Sequence, residues 1–208
     1  AAKAALHKIL YGEEIPSMEI QLPSGEPVVL PVASVEADET GVACSVIKEA
    51  GDDPDVTNGC RIKVHVSVVD GETEEEPLIR FQAGPGVGTV TLPGLGLEVG
   101  GPAINQTPRR MMETELHRLV VASGRKISSI WVTVSVEHGE ELAKRTFNPK
   151  LGIVGGISII GTSGIVRPFS SEAFVASIRK EVQVAKAVGC SQLVINSGAK
   201  SERYLKTY

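Results

Sequence analysis

Aromatic residues are scarce, at 4% of the 208 positions. That leaves little material for the stacking platforms that hold single-stranded nucleic acid. Nor does one sign of charge dominate: the net charge is −4, so no global basic field draws in a polyanion. An anionic ligand has to be met by a local cluster of arginine and lysine. No apolar run approaches the ~20 residues that a membrane-spanning helix needs. The alanine-rich start carries no signal-peptide cleavage pattern. Cysteine is rare too. Cys44, Cys60 and Cys190 stand far apart and form no C-x-x-C pair, which argues against a disulfide framework and against a zinc site. A reducing cytoplasm is the simplest setting.

What is present is an ordinary globular balance, 42% hydrophobic and 22% charged. The length allows one large domain or two small ones and a core that needs no disulfides. Residues 1–10 predict a helix closed by Gly12. Extended segments follow at 28–35, broken by Pro31, and at 42–47. Ile62, Val64, Val66 and Val68 then alternate with Arg61, Lys63, His65 and Ser67, the pattern of a strand with one wet face. Residues 78–81 form a further strand. Ile130, Val132, Val134 and Val136 repeat the alternation. Between these two, Thr107 reads as an N-cap with Pro108 at the first helical position. That helix runs to about Ser123, with Met112, Leu116 and Leu119 on one face and Gly124 as its stop. The character changes near residue 148. Glycines 152, 155, 156, 161 and 164 lie among apolar residues, and Ser170 or Ser171 caps a helix with Phe174, Ile178, Val182 and Ala185 as its stripe. Leu193, Val194 and Ile195 read as a short buried strand.

The fold expected is therefore α+β followed by α/β. A mixed-sheet domain with glycine-rich loops occupies 1–147, and an incomplete parallel α/β domain occupies 148–208. Both ends of the chain read as helix cut short, so the natural termini are expected to extend further.

Several constellations carry a chemical and a plain reading side by side. Gly84-Pro85-Gly86-Val87-Gly88 lacks the following helix that a dinucleotide fingerprint requires. It is either a turn where backbone meets backbone or a loop approaching a ligand. Gly156 to Gly161 with Thr162 imitates part of a P-loop, but the lysine is missing. Thr162 and Ser163 remain able to meet an anion through backbone N–H groups, with Arg167 nearby; a glycine-rich linker is the equal alternative. Asp52, Asp53 and Asp55 fit no EF-hand spacing and favour an Asx-capped turn. Arg109 and Arg110 sit at a helix start, where cations are unfavourable by about 0.3–1 kcal/mol each unless an anion binds there. His7, His65, His117 and His138 show no metal-ligand spacing.

Four blocks, in order, resemble the CbiD family of cobalt-precorrin-5B C1-methyltransferases. They are residues 44–59 (CSVIKEAGDDPDVTNG), 86–95 continuing to Gly101–Asn105 and Pro108-Arg109, 148–168 (NPKLGIVGGISIIGTSGIVRP) and 197–202 (SGAKSE). The resemblance implies S-adenosylmethionine as methyl donor and cobalt-precorrin-5B, an anionic corrinoid precursor, as substrate, with cobalt-precorrin-6A as product. Since the sulfonium is already activated, positioning matters more than acid–base machinery. Arg109, Arg110, Lys150 and Arg167 become the candidates for substrate carboxylates. Gly86, Gly88, Gly155, Gly156, Thr162, Ser163, Asp52 and Asp55 become candidates for the donor. No metal site, nucleic acid or membrane partner is expected, and a homo-oligomer is left open. A non-catalytic module binding a tetrapyrrole or nucleotide is the alternative from another class.

Overall fold

The computed structural model describes residues 1–72, 75–161, 163–166 and 170–194. The elements are α1 (Ala2–Tyr11), β1 (Ser17–Gln21), β2 (Pro27–Pro31), β3 (Ser34–Ala37), β4 (Val42–Ile47), β5 (Arg61–Asp70), β6 (Leu78–Ala83), β7 (Gly86–Val87), β8 (Thr89–Val90) and α2 (Gln106–Ser123). Then come β9 (Ile127–Val136), α3 (Gly139–Ala143), a 3-10 turn at Asn148–Leu151, β10 (Ile153–Val154), β11 (Gly156–Ile157) and α4 (Ser171–Ala187).

Alternation along the strands dictates the main layer. The sheet runs β3-β4-β5-β9-β6 and is mixed: β9 pairs antiparallel with β5 and parallel with β6. Its inner phase is apolar, with Cys44, Val64, Val66, Val132 and Val134 at 0–4% exposure. Helix α1 sets Ala4, Ala5 and Leu6 against it, and α2 sets Leu116 and Val120, all in one core. Each such large side chain fully buried stabilises by about 1.5–3 kcal/mol. The mixed α+β architecture expected from the sequence is thus the one observed.

Beyond the sheet, the glycine-rich segments pair with each other. β7 and β11 run parallel with Gly86 opposite Gly156, and β8 and β10 run antiparallel with Val90 opposite Ile153. A single bridge joins Ile104 to Ile159. Val90, Ala103, Leu151, Ile153 and Val184 form a second, smaller core there. These contacts cross residue 148, where the composition changes.

Three local expectations shift. Helix α2 begins at Gln106, with Asn105 as N-cap and no side-chain capping bond. Asn105 rather than Thr107 takes the extended backbone, and its carbonyl accepts the Arg109 N–H at 3.2 Å. Pro108 falls inside the first turn, where a missing N–H leaves no bond unmade. Among the described side chains of α4 the buried one is Val184, at 3% exposure, whereas Phe174 is 64% exposed. Val184, near the helix's end, joins the second core, while Ile178, Val182 and Ala185 of the expected stripe are half-buried and Phe174 is exposed. Leu193 and Val194 belong to no strand and are exposed, and Ile195 lies outside the described residues.

Candidate functional site

In sheets with parallel strands, the crevice beyond the strands' carboxyl ends is the usual place for a ligand. Here the parallel pair β6 and β9 ends at Ala83 and Val136, and both strands run into a glycine junction. The Gly84 N–H donates to Val134 O (2.8 Å) and the Val136 N–H to Pro85 O (2.9 Å), so the ladder continues into the turn. A Cβ on Gly86 would lie 2.0 Å from Val136 O; one on Gly139 would lie 2.1 Å from Gly86 O, and one on Gly156 2.3 Å from Gly86 C. Backbone packs on backbone here, so packing by itself accounts for glycine at 86, 139 and 156. Gly88 is buried as well, against Ile153. Gly155 differs: it is exposed, with φ 84° and open space around it, and the β7–β11 register sets it alongside Pro85. His138, exposed and left-handed at φ 56°, follows β9 at the same edge.

The other residues singled out from the sequence are dispersed. Asp55 accepts the Thr57 N–H (2.8 Å) and hydroxyl (2.7 Å) and pairs with Lys48. Burial pushes its carboxyl up, but these bonds outweigh that and hold it below the ordinary value. This is the Asx-capped turn. Asp52 lies exposed beside it. Ser163 closes a small turn on Ile165. Lys150 is exposed, with Nζ 5.8 Å from the Phe147 ring. Arg109 donates to Ile104 O (2.8 Å) and Pro102 O (3.2 Å) and lies over Phe81 at 5.4 Å, bracing the loop before α2. Arg110 is exposed and borders a groove of about 350 Å³ between α2 and the turn after β1, with Leu22, Thr107 and Thr114. Both arginines are on the helix-covered side of the sheet. Thr162 and Arg167 lie outside the described residues.

The sheet's outer face is different in kind. The four helices among the described residues pack elsewhere: α1 and α2 on the inner face, α3 against β7 and β11, α4 against the 3-10 turn. The outward rows, read across the register, are Arg80–Trp131–Ser67, Gln82–Thr133–His65 and Ser135–Lys63–Ser45–Ser34. Trp131 is the chain's one tryptophan. The Arg80 guanidinium lies 5.2 Å from its ring centre, a cation–π distance. Neither residue was singled out from the sequence. The signal was present: with Ile130, Val132 and Val134 assigned inward, Trp131 has to occupy the wet phase. Among the described residues, no group of three or more His, Cys, Asp or Glu is placed to hold a metal ion.

With this geometry in view, comparison with known proteins gives the class. The family model described as CbiD matches residues 1–168. The chain is 47% identical over 206 residues to the cobalt-precorrin-5B C(1)-methyltransferase of Prosthecochloris aestuarii, covering 99% of this chain and 55% of that protein. It is 46% identical over 199 residues to the protein of the same name from Burkholderia thailandensis, covering 96% and 53%. Among solved structures, the cobalamin biosynthesis protein CbiD of Archaeoglobus fulgidus matches with a TM-score of 0.58 and 28% identity, over 86% of this chain and 56% of that one. This chain belongs to the CbiD family. It spans about half the length of the curated relatives it matches.

Proposed function

We propose that this chain carries part of the apparatus that methylates C-1 of cobalt-precorrin-5B with S-adenosylmethionine, giving cobalt-precorrin-6A. The observation that carries the reading is its 47% identity, over 99% of its length, to a relative with that name. The site chemistry is compatible. An activated methyl donor needs its carbon held about 3–3.5 Å from the acceptor and in line, with little proton transfer. The donor supplies the electrophilic methyl group; the protein's part is to bind, orient and exclude water. For the donor we favour the carboxyl edge of β6 and β9, where the open backbone of Gly155 lies alongside Pro85 and His138 follows β9. The three unpaired cysteines fit a reducing, cytoplasmic setting.

Thermal unfolding with and without S-adenosylhomocysteine tests the donor half. A ligand at about 100 times its dissociation constant adds roughly 2.7 kcal/mol of stability. A rise in Tm that Gly155→Val abolishes supports the edge site. Binding of a tetrapyrrole with no donor-dependent rise and no methyl transfer would leave the non-catalytic module as the reading.

A further inference from the structure

We infer that the outer face of the sheet, which no helix covers among the described residues and which centres on Trp131 and Arg80, is the seat of a flat macrocycle bearing carboxylates. The inference rests on the proposed methylation for the substrate's class, and it adds the place and the residues.

Trp131 lies on the outward phase of β9 and is half-buried there, so part of its apolar ring is left without cover from the described residues. On this chain it is the one tryptophan, and it stands on β9, the strand next to the sheet edge formed by β6. Its register partner on β6 is Arg80, and the guanidinium lies over the indole. The other basic side chains of this face already have partners: Lys63 pairs with Glu36, Arg61 donates to Ser45 and lies beside Glu137, and His65 lies 3.4 Å from Asp38. Arg80 is exposed, and among the described residues it has no hydrogen-bond acceptor or carboxylate partner. Its N–H donors are therefore unspent, while the ring below fixes the plane in which they point.

An aromatic plane with an uncompensated guanidinium beside it is complementary to an extended π-ring rimmed with carboxylates. The surroundings add short hydroxyl and amide groups: Thr133 donates to Gln82 Oε1 at 3.1 Å, with Ser67 and Ser135 in the adjoining rows. Ala43 and Ser45, the β4 residues of this face, are buried, so its open part spans β6, β9 and β5, two inter-strand spacings of about 4.8 Å or roughly 10 Å, along which one edge of a tetrapyrrole ring can lie. The same rows lead along β9 to Ser135 and then to Gly84, where a Cβ would lie 2.1 Å from Ser135 Oγ. A ring on this face therefore meets the carboxyl edge proposed for the donor, and not α2.

The test uses uroporphyrin, a planar octacarboxylate macrocycle, and the single tryptophan as reporter. Saturable quenching of Trp131 fluorescence is expected. Arg80→Ala, an exposed position that leaves the core intact, should weaken binding about tenfold. Trp131→Phe, followed by the porphyrin's own anisotropy, should weaken it several-fold. Arg179→Ala, on the exposed side of α4, should leave affinity unchanged. The same variants in a methyl-transfer assay should raise KM for the corrinoid more than they lower kcat. Unchanged affinity in both Arg80→Ala and Trp131→Phe overturns the inference while leaving the methyltransferase reading intact. Tryptophan shielded from acrylamide before porphyrin is added also overturns it, since protein then covers the face. Weakened porphyrin binding without any methyl transfer keeps the face and removes the reaction.

Discussion

A Cβ placed on Gly86 would lie 2.0 Å from the Val136 carbonyl oxygen, and the residue's φ is 80°. Two independent costs then add: a backbone clash that cannot be relieved by a side-chain rotation, and a left-handed conformation unfavourable to L-residues by about 1–2 kcal/mol. Gly86→Ala should lower stability by about 3 kcal/mol in urea unfolding. Gly155, with φ 84° and nothing within 4 Å of its would-be Cβ, bears only the second cost. Gly155→Ala should lose about 1 kcal/mol, measured in the same way. Equal losses at the two positions would contradict the packing account. At this scale the sequence was informative in part. It singled out both Gly86 and Gly155, but not which one meets backbone and which one faces water, because the partners of Gly86 at Val136 and Gly156 lie 50 and 70 residues further along the chain.

Among elements, one carboxylate ties three together. Glu115 on α2 is buried, with Lys3 of α1 2.7 Å from Oε2 and the Gln21 N–H of β1 donating to Oε1 at 3.1 Å. Arg118 lies 3.3 Å from Oε1. Burial pushes the carboxyl up, but Lys3, the Gln21 N–H and Arg118 together hold it below its ordinary value of 4.5. A carboxyl lowered in the folded state stabilises above its unfolded pKa, and that contribution fades as pH falls through the folded value. Glu115→Gln should therefore cost about 2 kcal/mol near neutrality. The gap between it and the unaltered chain should narrow below pH 4.5. A gap that stays constant down to pH 3 would show that charge has no part in it.

The element scale is also where the sequence was most legible. The long alternating strands β5 and β9, the helix α1 with its Gly12 stop, and the segment 42–47 follow from local pattern. The β1 strand, Ser17 to Gln21, was missed because its alternation is short and its burial shallow. The two-residue strands β7, β8, β10 and β11 exist only through partners distant in sequence. Leu116, fully buried between α2 and the sheet, was on the predicted apolar face. Leu116→Ala should cost about 3 kcal/mol in urea unfolding.

For the whole molecule, the arrangement separates two sets of cations. Arg109 and Arg110 stand on the helix side, where Arg109 braces the Pro102 and Ile104 carbonyls. Arg80 stands on the open side over Trp131. A transferred methyl has to reach its acceptor within about 3–3.5 Å, so a ring bound on one side cannot be methylated from the other. The sequence led to the first set because paired arginines at a helix start are conspicuous. It hid the second because Arg80 and Trp131 become neighbours only through the β6–β9 register.

On the proposed function, this chain takes part in methyl transfer to a corrinoid precursor. The most direct measurement is incubation of the 208-residue chain with S-adenosylmethionine labelled in its methyl group and with cobalt-precorrin-5B, beside the Prosthecochloris aestuarii relative as positive control. Label is expected at C-1 of the product with both proteins, and more slowly with this chain. Label with the relative, and neither transfer nor corrinoid binding by this chain, would contradict it.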